Sequence, residues 1–390
     1  MNFDELKNYM DHLTSWRIPG NVMVVYKDGR PVWEYCSGYS DLSKGTKMTM
    51  DKQVYMYSCS KITTTLAALQ LYEKGVFLLD DPLYDFMPAF KDMTVRDKVT
   101  GEIRPAASPI TMRQLLTMTA GFNYNHKVPA FEKAREKTGG RFDTVTTINE
   151  LAAEPLDFDP GTHWQYSLGH DVLAAAVEVM AGKKFRTYVK ENIFDPLEIK
   201  ASYEETAEVK ENMAMMYYFM DEATDTDPRP TVKKAPGGRI VEEGLLNMHI
   251  LGADYDSGGA GIIASVPEYG KLMAALANGG ISVKGERILS KGTMELWRAD
   301  QLTESQHAEY NWDALKGYGY GLGVRTMIDR AKSGSNGSIG EFGWNGAAGA
   351  GALIDPDRNV AFCYAHHMLN NQEAIVQPRL RNILYASLDR

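Results

Sequence analysis

Strand signals lie at both ends of this chain and helix signals fill its middle, so any fold must bring the two ends into one sheet. Near the start, Val22 to Tyr26 is rich in β-formers, Asp28-Gly29 is a hairpin dipeptide, and Val32 to Tyr35 resumes the strand pattern. Near the end, Tyr318 to Thr326, Gly349 to Ile354 and Val360 to Ala365 read as strands, with Asp355-Pro356-Asp357 turning the last pair. Phe3, Leu6, Met10 and Leu13 recur at helical spacing ahead of them, and a helix from about Gln372 to Leu388 follows. In the middle, Thr111 is placed to cap a helix running toward Met118, Asp171 to Met180 is helical and stops at Gly182, and Phe185 to Asn192 comes next. Asp221 to Gly238 has few apolar residues and reads as an exposed loop. The expectation is an α+β fold: an antiparallel sheet flanked by helices, built from residues 1–80 and 237–390, with a mostly helical domain, 81–236, inserted into it. Ligand sites favour such junctions.

Charge narrows the partners. A formal net charge of -9, with no basic cluster longer than Lys183-Lys184 or Lys233-Lys234, argues against nucleic acid and favours small or neutral substrates. No run of about 18 apolar residues occurs, so no membrane-spanning helix is expected. The amphipathic start lacks the uninterrupted apolar stretch of a signal peptide, and a cytoplasmic location is expected. Cys36, Cys59 and Cys363 are odd in number and lack metal-ligand spacing, which suggests reduced thiols.

Ser58-Cys59-Ser60-Lys61 is the only S-x-x-K in the chain. About one such match is expected by chance, so its context decides its worth. Ile62 to Tyr72 carries no charge, which marks a buried helix with Ser58 and Lys61 at its start. Three residues apart, the two side chains share a face. A lysine in a first turn is electrostatically misplaced, because the helix dipole and burial both favour the neutral amine, which can then take the serine proton. The competing interpretation is that Ser58 or Ser60 caps the helix while Lys61 reaches outward. Cys59 has no histidine nearby in sequence and is expected to be a packed thiol.

Tyr166 falls on a loop ahead of Ser167, at a helix mouth, where a phenol can relay protons if a nearby ammonium lowers its pKa; the alternative is simple packing between elements. Gly343 to Gly351 is nearly bare of side chains after Trp344, so a bound carbonyl can approach a main-chain N–H there. There is no G-x-S-x-G, H-E-x-x-H or phosphate-loop motif, and His366-His367 on a strand end point to opposite faces, so neither a metal nor a cofactor is expected. His170-Asp171 reads as a helix-start pair.

In this order, Tyr57-Ser58-Cys59-Ser60-Lys61, Ile110 to Gly121, Tyr166-Ser167-Leu168, Gly258-Gly259-Ala260-Gly261 and Trp344-Asn345-Gly346 resemble the motifs of the serine β-lactamase and penicillin-binding protein superfamily, in its class C β-lactamase-like branch. Two positions depart from it. Leu168 stands where β-lactamases carry an Asn, and Trp344 stands where they carry a cation; a tryptophan there looks like the family VIII carboxylesterases and their acyltransferase relatives. The resemblance implies Ser58 as nucleophile, Lys61 and Tyr166 as the proton-handling pair, and the Ser58 and Ala347 N–H groups as oxyanion donors. Trp344, Asn345, Gly346 and Leu168 are expected to contact a small-molecule ester. Acyl transfer from the same acyl-enzyme, β-lactam or D-amino-acid peptide cleavage, and a non-catalytic ligand sensor are the alternatives. The sequence does not set the oligomeric state.

Overall fold

A computed structural model describes residues 1–389. Helix α1 (Asp4–Trp16) buries Leu6, Met10 and Leu13, the stripe its spacing predicts. It leads into strand β1 (Gly20–Lys27), which turns at Asp28 and Gly29, both at positive φ as a two-residue hairpin requires, into β2 (Arg30–Asp41). Strand β1 then pairs antiparallel with Val360–Ala365, so the first and last strands of this sheet in chain order are central neighbours.

Among the described residues this sheet has eight strands, in the order 318–320, 325–327, 342–343, 351–355, 360–365, β1, β2, 46–47. Alternate side chains of β1 feed two cores: Val22, Val24 and Tyr26 face the helix Val266–Ala277, while Met23 and Val25 face α1 and the helix Glu373–Leu388. The Asn2 N–H donates to Ser387 O at 3.0 Å, tying the two outer helices together. No described helix is long and apolar enough to cross a membrane.

Two expectations are corrected. Tyr318 to Thr326 is a hairpin and not one strand, because Gly323 at φ 77° reverses the chain between Tyr318–Tyr320 and Arg325–Met327. Asp221 to Gly238 is not all loop: Tyr217–Asp221, Gly238–Glu242 and Lys233–Ala235 are successive neighbours in a small sheet, pinned where Arg239 meets Asp225 and Arg229 meets Asp227 and Glu243. Charged pairs took the place of the apolar alternation that would have marked those strands.

The helices of the middle segment position the site. Thr111 and Gln114 form a capping box for α3 (Met112–Leu116), and Gly182 at φ 65° ends the helix Gly169–Ala181. That helix and α2 (Ser60–Glu73) lie side by side in the main core. Nearly every residue of α2 from Ser60 to Leu71 is buried, as its uncharged sequence requires.

Candidate active site

Ser58 sits in a single tight turn, Tyr57–Cys59, that runs directly into α2. Neither Ser58 nor Ser60 caps the helix. The helix start has no side-chain cap, and Ser60 Oγ instead accepts the Ile262 N–H at 3.0 Å, fixing α2 to the adjoining strand Ile263–Ser265. Tyr57 holds φ 45°, and its ring is clamped edge-on against Tyr55 and His249. That conformation aims Ser58 into the cleft.

Lys61 is fully buried, with Nζ 3.3 Å from Ser58 Oγ, 3.3 Å from Tyr124 Oη, and donating to Gly259 O at 2.8 Å. Burial pushes its pKa down to about 7, against the opposing pull of the nearby Asp171 carboxylate. Asp171, read from sequence as a helix-start residue, is buried and accepts from Ser257 Oγ at 2.7 Å and Tyr255 Oη at 3.2 Å. Gly259 has to be glycine: a Cβ there would stand 2.6 Å from Asp171 Oδ2.

Tyr166 completes a stack of three rings. It lies parallel to Tyr124 at 5.4 Å and to Trp344 at 5.7 Å, with Lys61 Nζ 4.7 Å from its ring centre. Trp344 Nε1 donates to Tyr166 Oη at 3.2 Å. The condition of a phenol pKa lowered by a nearby ammonium is not met: burial raises it, only partly offset by hydrogen bonds from Ser58 and Trp344.

The segment after Trp344 closes the other side. Gly346 N–H donates to Ala350 O and Gly349 N–H to Gly346 O, and Gly349, at φ 83°, lies so close to the His366 ring that a Cβ would collide with it. The tight turn leaves Ala347 exposed toward Ser58, and among the described residues neither N–H has a protein acceptor. The resulting cavity of about 170 Å³ is lined by Ser58, Tyr166, Trp312, Leu315, Trp344 and Ala347, together with Asn345, Gly346 and Glu373.

Of the sequence-predicted residues, the structure therefore gathers Ser58, Lys61, Tyr166, Trp344, Asn345, Gly346 and Ala347. Leu168 is apart from them: its side chain is buried in the core, and its N–H donates to Asn123 O at 3.0 Å. Cys59 is a packed thiol, as expected, with burial holding it protonated and Sγ 3.4 Å from Trp344 O. His366 and His367 are buried and engaged, the first with Tyr364 Oη, the second between the Tyr55 N–H and Ala214 O. Sequence reasoning missed Tyr124, Trp312, Glu373 and the Gly259 carbonyl. Only the last had a signal, the run Gly258-Gly259-Ala260-Gly261, and it was noted for its place in the chain and not for its carbonyl.

A nucleophile paired with a buried amine, beside a protonated phenol and two free N–H groups, is an arrangement suited to acyl transfer. Comparison with known proteins agrees. Esterase EstB of Burkholderia gladioli is 27% identical over 357 residues, 87% of this chain and 83% of that protein. A lovastatin esterase of Penicillium rubens is 29% identical over 265 residues, 66% of this chain and 63% of that protein. Among solved structures, EstCE1, described as a hydrolase with promiscuous acyltransferase activity, superposes with a TM-score of 0.76 over 98% of both chains; at 24% identity this likeness speaks for the fold alone. The family model for β-lactamases matches residues 6–386, and the chain belongs to the β-lactamase family.

Proposed function

We propose that the protein is a serine hydrolase that cleaves small carboxylic esters through an acyl-enzyme on Ser58. The observation that carries this is the 3.3 Å approach of Ser58 Oγ to a buried Lys61 whose pKa is lowered to about 7. The neutral amine takes the Ser58 proton as Oγ bonds to the ester carbonyl carbon, and the oxyanion turns to the Ser58 and Ala347 N–H groups. As the carbon–alkoxide bond breaks, the proton passes through Tyr166 to the departing oxygen. Water then attacks the acyl carbon and gives its proton to the same pair; the carbon–Oγ bond breaks, the proton returns to Ser58 Oγ, and the acid is released. No cofactor takes part.

The names of the esterase relatives support hydrolysis, and a relative from Monascus pilosus named an acyltransferase, 26% identical over 341 residues, supports a second reading, in which an alcohol replaces water. β-Lactam cleavage is disfavoured by the uncharged Trp344 ring where a substrate carboxylate would need a cation. A non-catalytic sensor would have no use for a lysine held at about neutral pKa against Ser58. The cytoplasmic placement rests on three unpaired cysteines, and the division into 1–80 with 237–390 and an insert 81–236 on the sheet shared by both chain ends.

The test is intact-mass spectrometry after a p-nitrophenyl phosphonate, with the labelled peptide mapped. One adduct on Ser58, and loss of p-nitrophenyl butyrate turnover in Ser58→Ala, is the expected result. An adduct elsewhere, or normal turnover by Ser58→Ala, overturns the proposal.

A further inference from the structure

We infer that Glu373 and the aromatic walls of the Ser58 cavity form a seat for a compact cationic group, so that the preferred substrate is an ester carrying an ammonium head. This rests on the esterase reading above and names its substrate class.

Three rings, Tyr166, Trp312 and Trp344, enclose the cavity, with Tyr166 and Trp312 edge to face at 5.4 Å. Aromatic faces attract cations, most strongly where water is displaced. Glu373 is the first residue of the 16-residue helix Glu373–Leu388, an end at which the helix dipole favours negative charge. Its Oε1 accepts from Asn345 Nδ2 at 2.7 Å, a neutral donor, and no described cation forms an ion pair with it. Arg325 also lines the cavity but is 1% exposed, and its guanidinium is engaged by Glu341 at 3.2 Å and by Ala352 O at 3.3 Å. Arg325 is drawn toward Glu373 as well as toward Glu341, its ion-pair partner, so of these three groups one negative charge is left in excess, and of the two that line the cavity only Glu373 is free of an ion pair. An anionic substrate would meet both that carboxylate and the negative face of the rings, whereas a cation finds them complementary. The net charge of -9 on the whole chain biases encounters in the same direction. The cavity, about 170 Å³, has room for a compact head group.

Choline and its uncharged carbon isostere, 3,3-dimethylbutan-1-ol, separate charge from shape. Each is used as an inhibitor of p-nitrophenyl acetate hydrolysis by the full chain. Choline is expected to bind at least about tenfold tighter than the isostere, and the gap is expected to shrink to about threefold or less in Glu373→Gln. Equal or tighter binding of the isostere by the unmodified enzyme overturns the inference. So does a gap that survives Glu373→Gln, which would reduce Glu373 to a support for Asn345. Should Glu373→Gln fail to fold, Trp312→Leu serves as the second variant, with the same narrowing expected and an unchanged gap counting against the seat. Quenching of tryptophan fluorescence by choline requires no turnover. An enzyme that binds choline selectively but cleaves no ester would refute the hydrolase reading and leave the cation seat standing.

Discussion

The two flanks of Ser58 are built on opposite plans. On the Lys61 side, a buried amine meets Tyr124 Oη, Gly259 O and Ser58 Oγ within 3.3 Å, with the Asp171 carboxylate close behind. On the Trp344 side, the candidate site opens into a cavity walled by rings and small residues, whose polar contacts, Trp344 Nε1 to Tyr166 Oη and Asn345 Nδ2 to Glu373 Oε1, are made within the wall. The first flank leaves Lys61 Nζ little freedom in position, since polar partners and the α2 backbone hold it together. The second defines a shape and a polarity and leaves the ligand to settle within them. Changes on the first flank should therefore alter rate, and changes on the second should alter which substrate is preferred.

The largest effect expected is on the first flank. Lys61→Arg places a permanent guanidinium where a neutral base is needed and should lower kcat by about 1,000-fold or more. In the unmodified protein, kcat/KM should rise with pH and level off above about 7, because the ammonium form, dominant below that pH, cannot accept the Ser58 proton. A flat profile between about pH 5 and about pH 9, or near-normal turnover by Lys61→Arg, would contradict the division between the flanks. Next comes Tyr166→Phe, which removes the proton relay but keeps the ring stack; a loss of about 100-fold in kcat with little change in KM is expected from steady-state kinetics. A change confined to KM would move Tyr166 to the substrate side.

Smaller effects belong to the second flank. Trp344→Ala removes apolar contact and the donor to Tyr166 Oη, and should raise KM for p-nitrophenyl butyrate by about tenfold. Trp344→Lys should shift preference toward anionic substrates, measured as the ratio of kcat/KM for a chromogenic cephalosporin and for p-nitrophenyl butyrate. An unmodified enzyme that prefers the cephalosporin would sink the ester assignment.

The contrast between the flanks also explains what the sequence revealed. Ser58 and Lys61 are three residues apart, the first in the turn that runs into α2 and the second at the start of α2, and the uncharged run Ile62 to Tyr72 announces that helix's burial, so local periodicity was enough to pair them. The sheet was legible for a similar reason: the dipeptide Asp28-Gly29 and the run Val360 to Ala365 carry their structure in neighbouring residues. Tyr124 lies 63 positions from Lys61, on a segment without regular structure, and reaches Nζ only through tertiary packing. Glu373 reads as an ordinary first-turn acid, and nothing local says that the Trp344 loop folds down upon it. Leu168 erred in the other direction. Its place in a motif suggested substrate contact, but as the last residue before the helix Gly169–Ala181 its side chain turns into the core.

Tyr57 shows what the aim of Ser58 demands of the chain. An L-residue at φ 45° gives up about 1–2 kcal/mol relative to ordinary backbone, and here the ring contacts with Tyr55 and His249 and the hydroxyl bond to Leu246 O hold it in place. Two demands thus fall on one codon. Glycine or asparagine would relax the backbone but forfeit the clamp, whereas valine or isoleucine would oppose the backbone and supply no ring. Of the single changes at position 57, only one that keeps the ring, such as Tyr57→Phe, is expected to preserve the clamp against Tyr55 and His249.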